Sequence, residues 1–207
     1  MTHISGDTRP AEQTRTSAAD RAAAIVSEVL APGVFAALLP LTVGALTAGL
    51  RGALWGLAAA VFTAVIPLLI IRSGVRRGRL NSHHIDRRED RAVPLGLSIL
   101  SVAAGLGLLT VLGAPATVRA TVAAFGAALA LTTLVNLVWK LSAHAATVSA
   151  AAVVLTAALG APGTAAWAMV LVVCWARLRL GAHDLAQVVA GVAAGSAAAL
   201  AAWTLLT

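Results

Sequence analysis

The sequence predicts an all-α fold, a polytopic transmembrane helical bundle of about 6–7 spans, and three observations carry that prediction. Of its 207 residues, 59% are apolar and only 11% are charged, whereas soluble domains carry about 25% charged residues. Mean hydropathy is +0.90, more apolar surface than a soluble fold of this size can hide. The charges are also segregated: no Asp or Glu lies between Asp90 and Asp184, and Lys140 is the single lysine. A net charge of +7 spread evenly would indicate nucleic acid. Arginines clustered beside apolar runs indicate cytoplasmic loops or an anionic substrate instead, so no nucleic-acid partner is expected. Cys174 is the one cysteine; it forms no internal disulfide and reads as a small packed hydrophobe.

The elements follow in order. Residues 1–27 are polar and lack the basic start, apolar middle and small-residue cleavage site of a signal peptide. They read as a flexible cytoplasmic tail with helical character from Ala18 onward, and residues 28–207 as one membrane domain. A helix needs about 20 apolar residues to span the hydrocarbon core. Leu30 to Leu50 is such a run, with Pro32 and Pro40 inside it, and Arg51 and Gly52 mark a tight turn. Ala53 to Ile71 is the second run. Arg72 to Arg91 is the most polar stretch, with seven arginines, His83, His84, Asp86, Glu89 and Asp90. Pro94 to Leu112 is a third span, and after a break at Gly113 to Pro115 a fourth runs from Thr117 to Trp139. Lys140 to His144 is a polar island. Ala145 to Leu159 and Ala165 to Trp175 are shorter runs hinged by Gly160, Pro162 and Gly163. Arg177 to Asp184 is a further island, and Val188 to Leu206 is the last span. The spans are rich in Ala and Gly, which let membrane helices approach closely.

Parity gives this list its value. Two spans separate the Arg-rich stretch from the Lys140 island, and two more separate that island from the Arg177 island. All three polar segments therefore emerge on one side, as a composite site requires. Arg72, Arg76, Arg77 and Arg79, with Arg9, Arg15 and Arg21 of the tail, lie on that side, against Arg51 and Arg119 on the other. The positive-inside bias makes the polar face cytoplasmic.

Four of the five histidines fall within these three segments. Ionisable groups at a membrane boundary are costly and so mark functional candidates. The third segment reads Arg177, five residues, His183, three residues, Gln187, followed by Val188-Val189-Ala190-Gly191. The second reads Leu141-Ser142-Ala143-His144, and the first offers His84, six residues, Arg91, with Pro94 beyond. In order, spacing and common side these resemble the three motifs of the type-2 phosphatidic acid phosphatase family: Lys, six residues, Arg-Pro; then Pro-Ser-Gly-His; then Ser-Arg, five residues, His, three residues, Asp. The resemblance covers about Arg79 to Gly191. Ala176 stands where the family has Ser, Ala92 where it has Pro, and Gln187 where it has Asp.

The resemblance implies metal-independent hydrolysis of a lipid phosphate or isoprenyl (di)phosphate through a phosphohistidine, with no cofactor. His183 is then the nucleophile and His144 the general acid that protonates the departing alkoxide. Phosphoryl transfer relies on positioning and positive charge, and the planar fork of Arg suits phosphate oxygens. Arg177, Arg91 and Lys140 would form the clamp, with Arg87 or Arg88 helping, and His84 and Ser142 would complete it. A phosphate at His183 would also feel the N-terminus of the last helix. On a helix, Lys140 and His144 share a face, as do His84 and Arg88. Gln187 can still orient the His183 ring, but it brings no charge; in a serine-protease triad the equivalent Asp-to-amide change costs about 10⁴ in rate. Asp184 reads as a first-turn acidic residue favoured by the helix dipole.

Plainer readings stand beside these. The arginines from Arg72 to Arg79 read first as topology determinants and headgroup contacts, Arg179 as a snorkelling interface residue, and His83 as a solvated loop residue. Trp55, Trp139, Trp167, Trp175 and Trp203 mostly lie near run ends, as interfacial anchors do. Asn136 reads equally as a bundle-interior hydrogen-bonding residue or a substrate contact. Two other functions compete. Asn81 with the Asp86 and Asp90 pair is the signal of a UbiA-type membrane prenyltransferase holding Mg²⁺ to a diphosphate, but the chain has no second acidic pair. A catalytically degenerate homologue that only binds lipid phosphates is the reading Gln187 supports.

Overall fold

The computed structural model of the chain describes residues 17–76 and 88–207, and every element in it is helical. The order is α1 (Ala18–Val29), α2 (Pro32–Ala60), a π-turn at Val61–Val65, α3 (Ile66–Arg76), α4 (Arg88–Val111), α5 (Ala116–Val135), α6 (Ala143–Leu159), a 3₁₀ segment Ala161–Ala166, α7 (Trp167–Arg179) and α8 (Leu185–Leu206). Among the described residues five helical segments are long and apolar enough to cross a membrane: Pro32–Gly74, Val93–Val111, Ala116–Val135, Ala161–Arg179 and Leu185–Leu206. They mark a membrane protein. Large apolar side chains such as Leu50, Leu100, Leu171 and Leu205 point outward, as they do where lipid is the solvent.

The first apolar run differs from its expected layout in two places. Pro32 lies at the start of α2, where its missing N–H costs nothing, and not inside the helix. The chain reverses at Ala48–Gly49, not at Arg51–Gly52. Gly49 takes φ +59°, a conformation that lacks a penalty only without a Cβ. Gly52 serves the contact instead: a Cβ on it would strike the Gly44 carbonyl, and one on Gly44 would strike the Gly52 carbonyl. The two halves of α2 therefore pack backbone to backbone, as small residues allow in membranes.

Proline leaves two carbonyls to be satisfied, and hydroxyls from neighbouring helices do so. Pro40 cannot donate to the Ala36 carbonyl one turn earlier. The Thr63 hydroxyl, in the π-turn, donates to it at 2.6 Å. Pro67, in the first turn of α3, has no N–H to offer the Phe62 carbonyl of the π-turn five residues back. The Ser101 hydroxyl of α4 donates there at 2.9 Å.

Helix α6 is the centre of the bundle. It is buried nearly all round, through Ala145, Ala146, Val148, Ser149, Ala150, Ala151, Ala152 and Val154, and α2, α5, α7 and α8 surround it. A second cluster joins the end of α2, α4 and α5 through Ala59, Val102, Leu109, Val118 and Val122. Helices α4 and α5 are antiparallel across the turn at Gly113, with Val102 against Gly126. Helices α6 and α8 instead run parallel. Gly191 lies against Ser142 and Ala145, and Gly195 lies against Ala146, while the Ser149 hydroxyl donates to the Val192 carbonyl at 3.0 Å. That parallel pair sets both N-termini side by side.

The remaining spans end where their chemistry changes. α5 stops at Val135, short of Trp139, because Asn136 caps it and the chain turns away. α1 is an amphipathic helix packed on α7, with Ala23 and Ser27 on its buried face. It opens with a capping box in which Ser17 and Asp20 satisfy each other's backbone N–H groups.

Candidate active site

Two polar loops meet at the paired N-termini of α6 and α8. The first holds residues 136–142. Asn136 braces it, its side-chain oxygen accepting from the Leu141 N–H at 2.8 Å. Lys140 lies in this loop, before α6 begins, so it does not share a helix face with His144 as expected. Its ammonium crosses to the second loop and donates to the Ala182 carbonyl at 2.8 Å. The reason is the cap: Ser142 starts α6, its hydroxyl accepting from the Ala145 N–H at 3.4 Å, and the residues before a cap are not helical.

Ser142 is fully buried. Its hydroxyl is engaged in the cap, and its backbone N–H donates to the Gln187 carbonyl at 3.2 Å. It therefore joins the loops and does not present a hydroxyl to an open site. His144 follows two residues later, on the first turn of α6 and partly buried.

The second loop holds residues 180–184. Leu180 ends α7 and Gly181 turns the chain with φ +60°. Asp184 is the N-cap of α8, its carboxylate accepting from the Gln187 N–H at 2.8 Å, a more specific role than a first-turn acid. His183 lies just before the cap. Its Nδ1 is 3.0 Å from Gln187 Oε1. With the amide oxygen facing the ring, the contact is a hydrogen bond in the tautomer that carries its proton on Nδ1, which leaves the lone pair on Nε2.

His183 titrates below its ordinary value of 6.5. Burial is the main cause. The positive charges of Arg177 and Lys140 push the same way, while the Gln187 hydrogen bond and the Asp184 charge oppose them. The ring is thus held neutral among cations, beside two helix N-termini whose free N–H groups favour an anion.

Arg177 sits in the last turn of α7. Its Nη1 donates to the Ser27 hydroxyl at 3.4 Å, and its Nε is buried without a hydrogen-bond partner among the described residues. Arg179 pairs with the Asp20 carboxylate at 2.9 Å and donates to the Ser17 hydroxyl at 3.2 Å, where a snorkelling residue was expected. Ser17, Asp20 and Ser27 escaped sequence reasoning, although Ser17 and Asp20 carry the spacing of a capping box.

The third expected segment is present only in part. His84, Asp86 and Arg87 lie outside the described residues, and Arg88 and Arg91 lie on the first turn of α4 with side chains outside them. The antiparallel pairing of α4 with α5 brings that turn to the same end of the bundle as Val135. Among the described residues no group of three or more His, Cys, Asp or Glu could hold a metal ion.

No family model, no curated protein and no solved structure matches the chain. The functional reading therefore rests on the site alone. A neutral imidazole with a free Nε2, flanked by Lys140 and Arg177 and by two helix N-termini, can attack or bind an anionic centre such as a phosphoryl group.

Proposed function

We propose that this chain is a metal-independent lipid-phosphate phosphatase of the type-2 phosphatidic acid phosphatase kind, acting at the cytoplasmic face. One observation carries the reading: Gln187 holds Nδ1 of His183 while the charges of Arg177 and Lys140 act on the ring. That is a nucleophile with its orienting group and its anion clamp.

The reaction has two steps. Nε2 of His183 attacks phosphorus, the P–O bond to the lipid breaks, and the proton of His144 passes to the departing lipid oxygen. Water, deprotonated by the now neutral His144, then attacks the phosphohistidine. The P–N bond breaks and inorganic phosphate leaves. Arg177 and Lys140 balance the charge on the phosphoryl oxygens in both steps, and the N–H groups at the start of α8 add to that field. Arg91, Arg88 and His84, from the segment between α3 and α4, complete the clamp in this reading. The substrate is a lipid phosphate or isoprenyl diphosphate whose tail lies among the membrane helices.

The bundle then has seven spans. The 43-residue segment Pro32–Gly74 contains the reversal at Ala48–Gly49, so it crosses twice, and the 17-residue Ala143–Leu159 crosses once between the two loops of the site. Labelling a cysteine introduced at Gly78, in a Cys174→Ala background, from each side of sealed vesicles tests the orientation; access from the outside alone would reverse it.

The deciding experiment is phosphate release by purified protein in detergent with EDTA, from farnesyl diphosphate and phosphatidic acid. Release that survives EDTA and vanishes in His183→Ala supports the mechanism. Release that needs Mg²⁺ or ignores His183 sinks it. The second reading, a homologue that binds lipid phosphate without turning it over, is favoured by the uncharged Gln187; binding without release is its signature.

A further inference from the structure

The guanidinium of Arg177 is held at one corner, while a nitrogen on another edge goes unpaired among the described residues. Nη1 donates to the Ser27 hydroxyl at 3.4 Å. Nε is buried and bonds nothing among the described residues. In a guanidinium the Nε–H and one Nη2–H bond run parallel and form the edge that grips two phosphate oxygens. Nη1 lies on the other side, next to Cδ, so a bond at Nη1 leaves that edge directed away from Ser27. A buried Nε–H without a partner is costly, and such orphans in a native fold call for an explanation. An anion at the Nε–Nη2 edge supplies one. The Ala182 N–H, next to His183, donates to the Arg177 carbonyl at 3.2 Å, and the charge of Arg177 acts on the His183 ring.

Ser27 belongs to α1, not to the membrane bundle, and α1 is fixed to α7 at two levels. Two turns before Ser27, Asp20 takes the Arg179 guanidinium at 2.9 Å, and Ser17 accepts from it at 3.2 Å. Between them Ala23 is fully buried, and Val26 and Leu30 pack on the main core. At its far end α1 passes into α2 through Leu30 and Ala31 alone. Ser27 itself is 7% exposed. This is a rigid mount for one hydroxyl.

We propose that Ser27 is a positioning residue: it anchors Nη1 of Arg177 so that the Nε–Nη2 edge faces a phosphoryl group beside His183, which makes the juxtamembrane helix α1 one wall of the anion site. The proposal rests on the reading of Arg177 as a phosphate ligand, but it does not need turnover. Its test is therefore binding of inorganic phosphate to the purified full-length protein, measured by calorimetry for wild type, Ser27→Ala, Ser27→Thr, Arg177→Lys and Ser27→Ala with Arg177→Lys.

Ser27→Ala is expected to weaken phosphate binding about fivefold, and Ser27→Thr, which keeps the hydroxyl, to restore most of it. Residues that act through one another are not additive, so Ser27→Ala should weaken binding no further once Arg177 is Lys. A merely structural Ser27 would give the same loss in both backgrounds, and that result overturns the proposal. So does unchanged binding in Ser27→Ala, or wild-type protein that binds no phosphate. Unfolding is watched by thermal melting of each variant; if Ser27→Ala melts early, Ser27→Cys, of similar volume and a weak acceptor, takes its place with the same expected outcomes. Phosphate release is assayed separately, so binding with the expected coupling but no release would remove the hydrolase reading and leave this one standing.

Discussion

Gln187 Oε1 lies 3.0 Å from Nδ1 of His183, one helical turn away across the start of α8. The contact orients the ring but supplies no negative charge to the imidazolium that forms when a phosphoryl group is transferred or a proton is bound. Two consequences follow from how the ring is held and what surrounds it.

The first concerns the residue itself. Gln187→Ala frees the ring, and phosphate release should fall by about 10²-fold or more, by analogy with the orienting residue of a catalytic triad. Gln187→Asp, if its shorter side chain still reaches Nδ1, should raise the rate and move the acid limb of the pH profile upward, because a carboxylate favours protonated His183. Steady-state rates at several pH values check both, and an Asp variant slower than Ala would count against an orienting role.

The second concerns pH. His183 titrates below 6.5 because burial and the charges of Arg177 and Lys140 disfavour its proton. Between that lowered value and 6.5 the unfolded chain binds a proton that the folded chain does not. Folding stability therefore rises with pH through this window and is lost as pH falls through it. Activity should share the acid limb, since Nε2 must be unprotonated, and an alkaline limb should follow as His144 loses the proton it donates. The expected rate profile is a bell; a flat rate between about pH 5 and 9 would sink the two-histidine scheme.

The α6–α8 contact should be intolerant of a single methyl. A Cβ on residue 195 would run into the Ala146 carbonyl, and overpacking costs about 1–3 kcal/mol. Gly195→Ala should lower the melting temperature in detergent. It should also depress phosphate release in the surviving folded fraction, because the same contact sets the start of α6, which carries His144, beside the start of α8. Loss of stability with full specific activity would separate the two.

Thr63 tests the proline compensation. Thr63→Val keeps the shape but leaves the Ala36 carbonyl, freed by Pro40, without its donor at 2.6 Å. Hydrogen bonds within membrane bundles average about 0.6 kcal/mol and reach about 1.7. The variant should lie toward the upper end, read as a shift in thermal or denaturant unfolding, and Pro40→Ala should make Thr63→Val nearly neutral.

Removing the Lys140 ammonium breaks its bridge to the Ala182 carbonyl and deletes a cation beside His183. Lys140→Met should raise KM for a lipid phosphate about tenfold, the scale of one charged hydrogen bond, and bring the acid limb up toward 6.5 by removing one of the charges that depress it. A KM unchanged within twofold would free Lys140 from the anion clamp.

Composition and periodicity alone carried the membrane class, the apolar runs, the break at Gly113–Pro115 and the polar islands at Lys140 and Arg177, because these depend on local hydrophobicity and chain length. The four-residue reach from His183 to Gln187 was legible for the same reason, since a helix start makes it a local distance. The rest depended on contacts far apart in the chain. Which glycine turns and which one packs, Gly49 or Gly52, is settled by how two helix halves meet. That Lys140 bridges to Ala182 and Ser142 turns inward follows from where α6 is capped and from its parallel packing on α8 through Gly191 and Gly195. And α1 reads in isolation as a polar tail; its place against Arg177 and Arg179 exists only because α7 ends beside it, pairing Asp20 and Ser27 with residues some 150 positions away. Side-chain chemistry is written in the sequence, but which groups share a site is a matter of helix packing, and packing energy belongs to pairs of segments and not to either one.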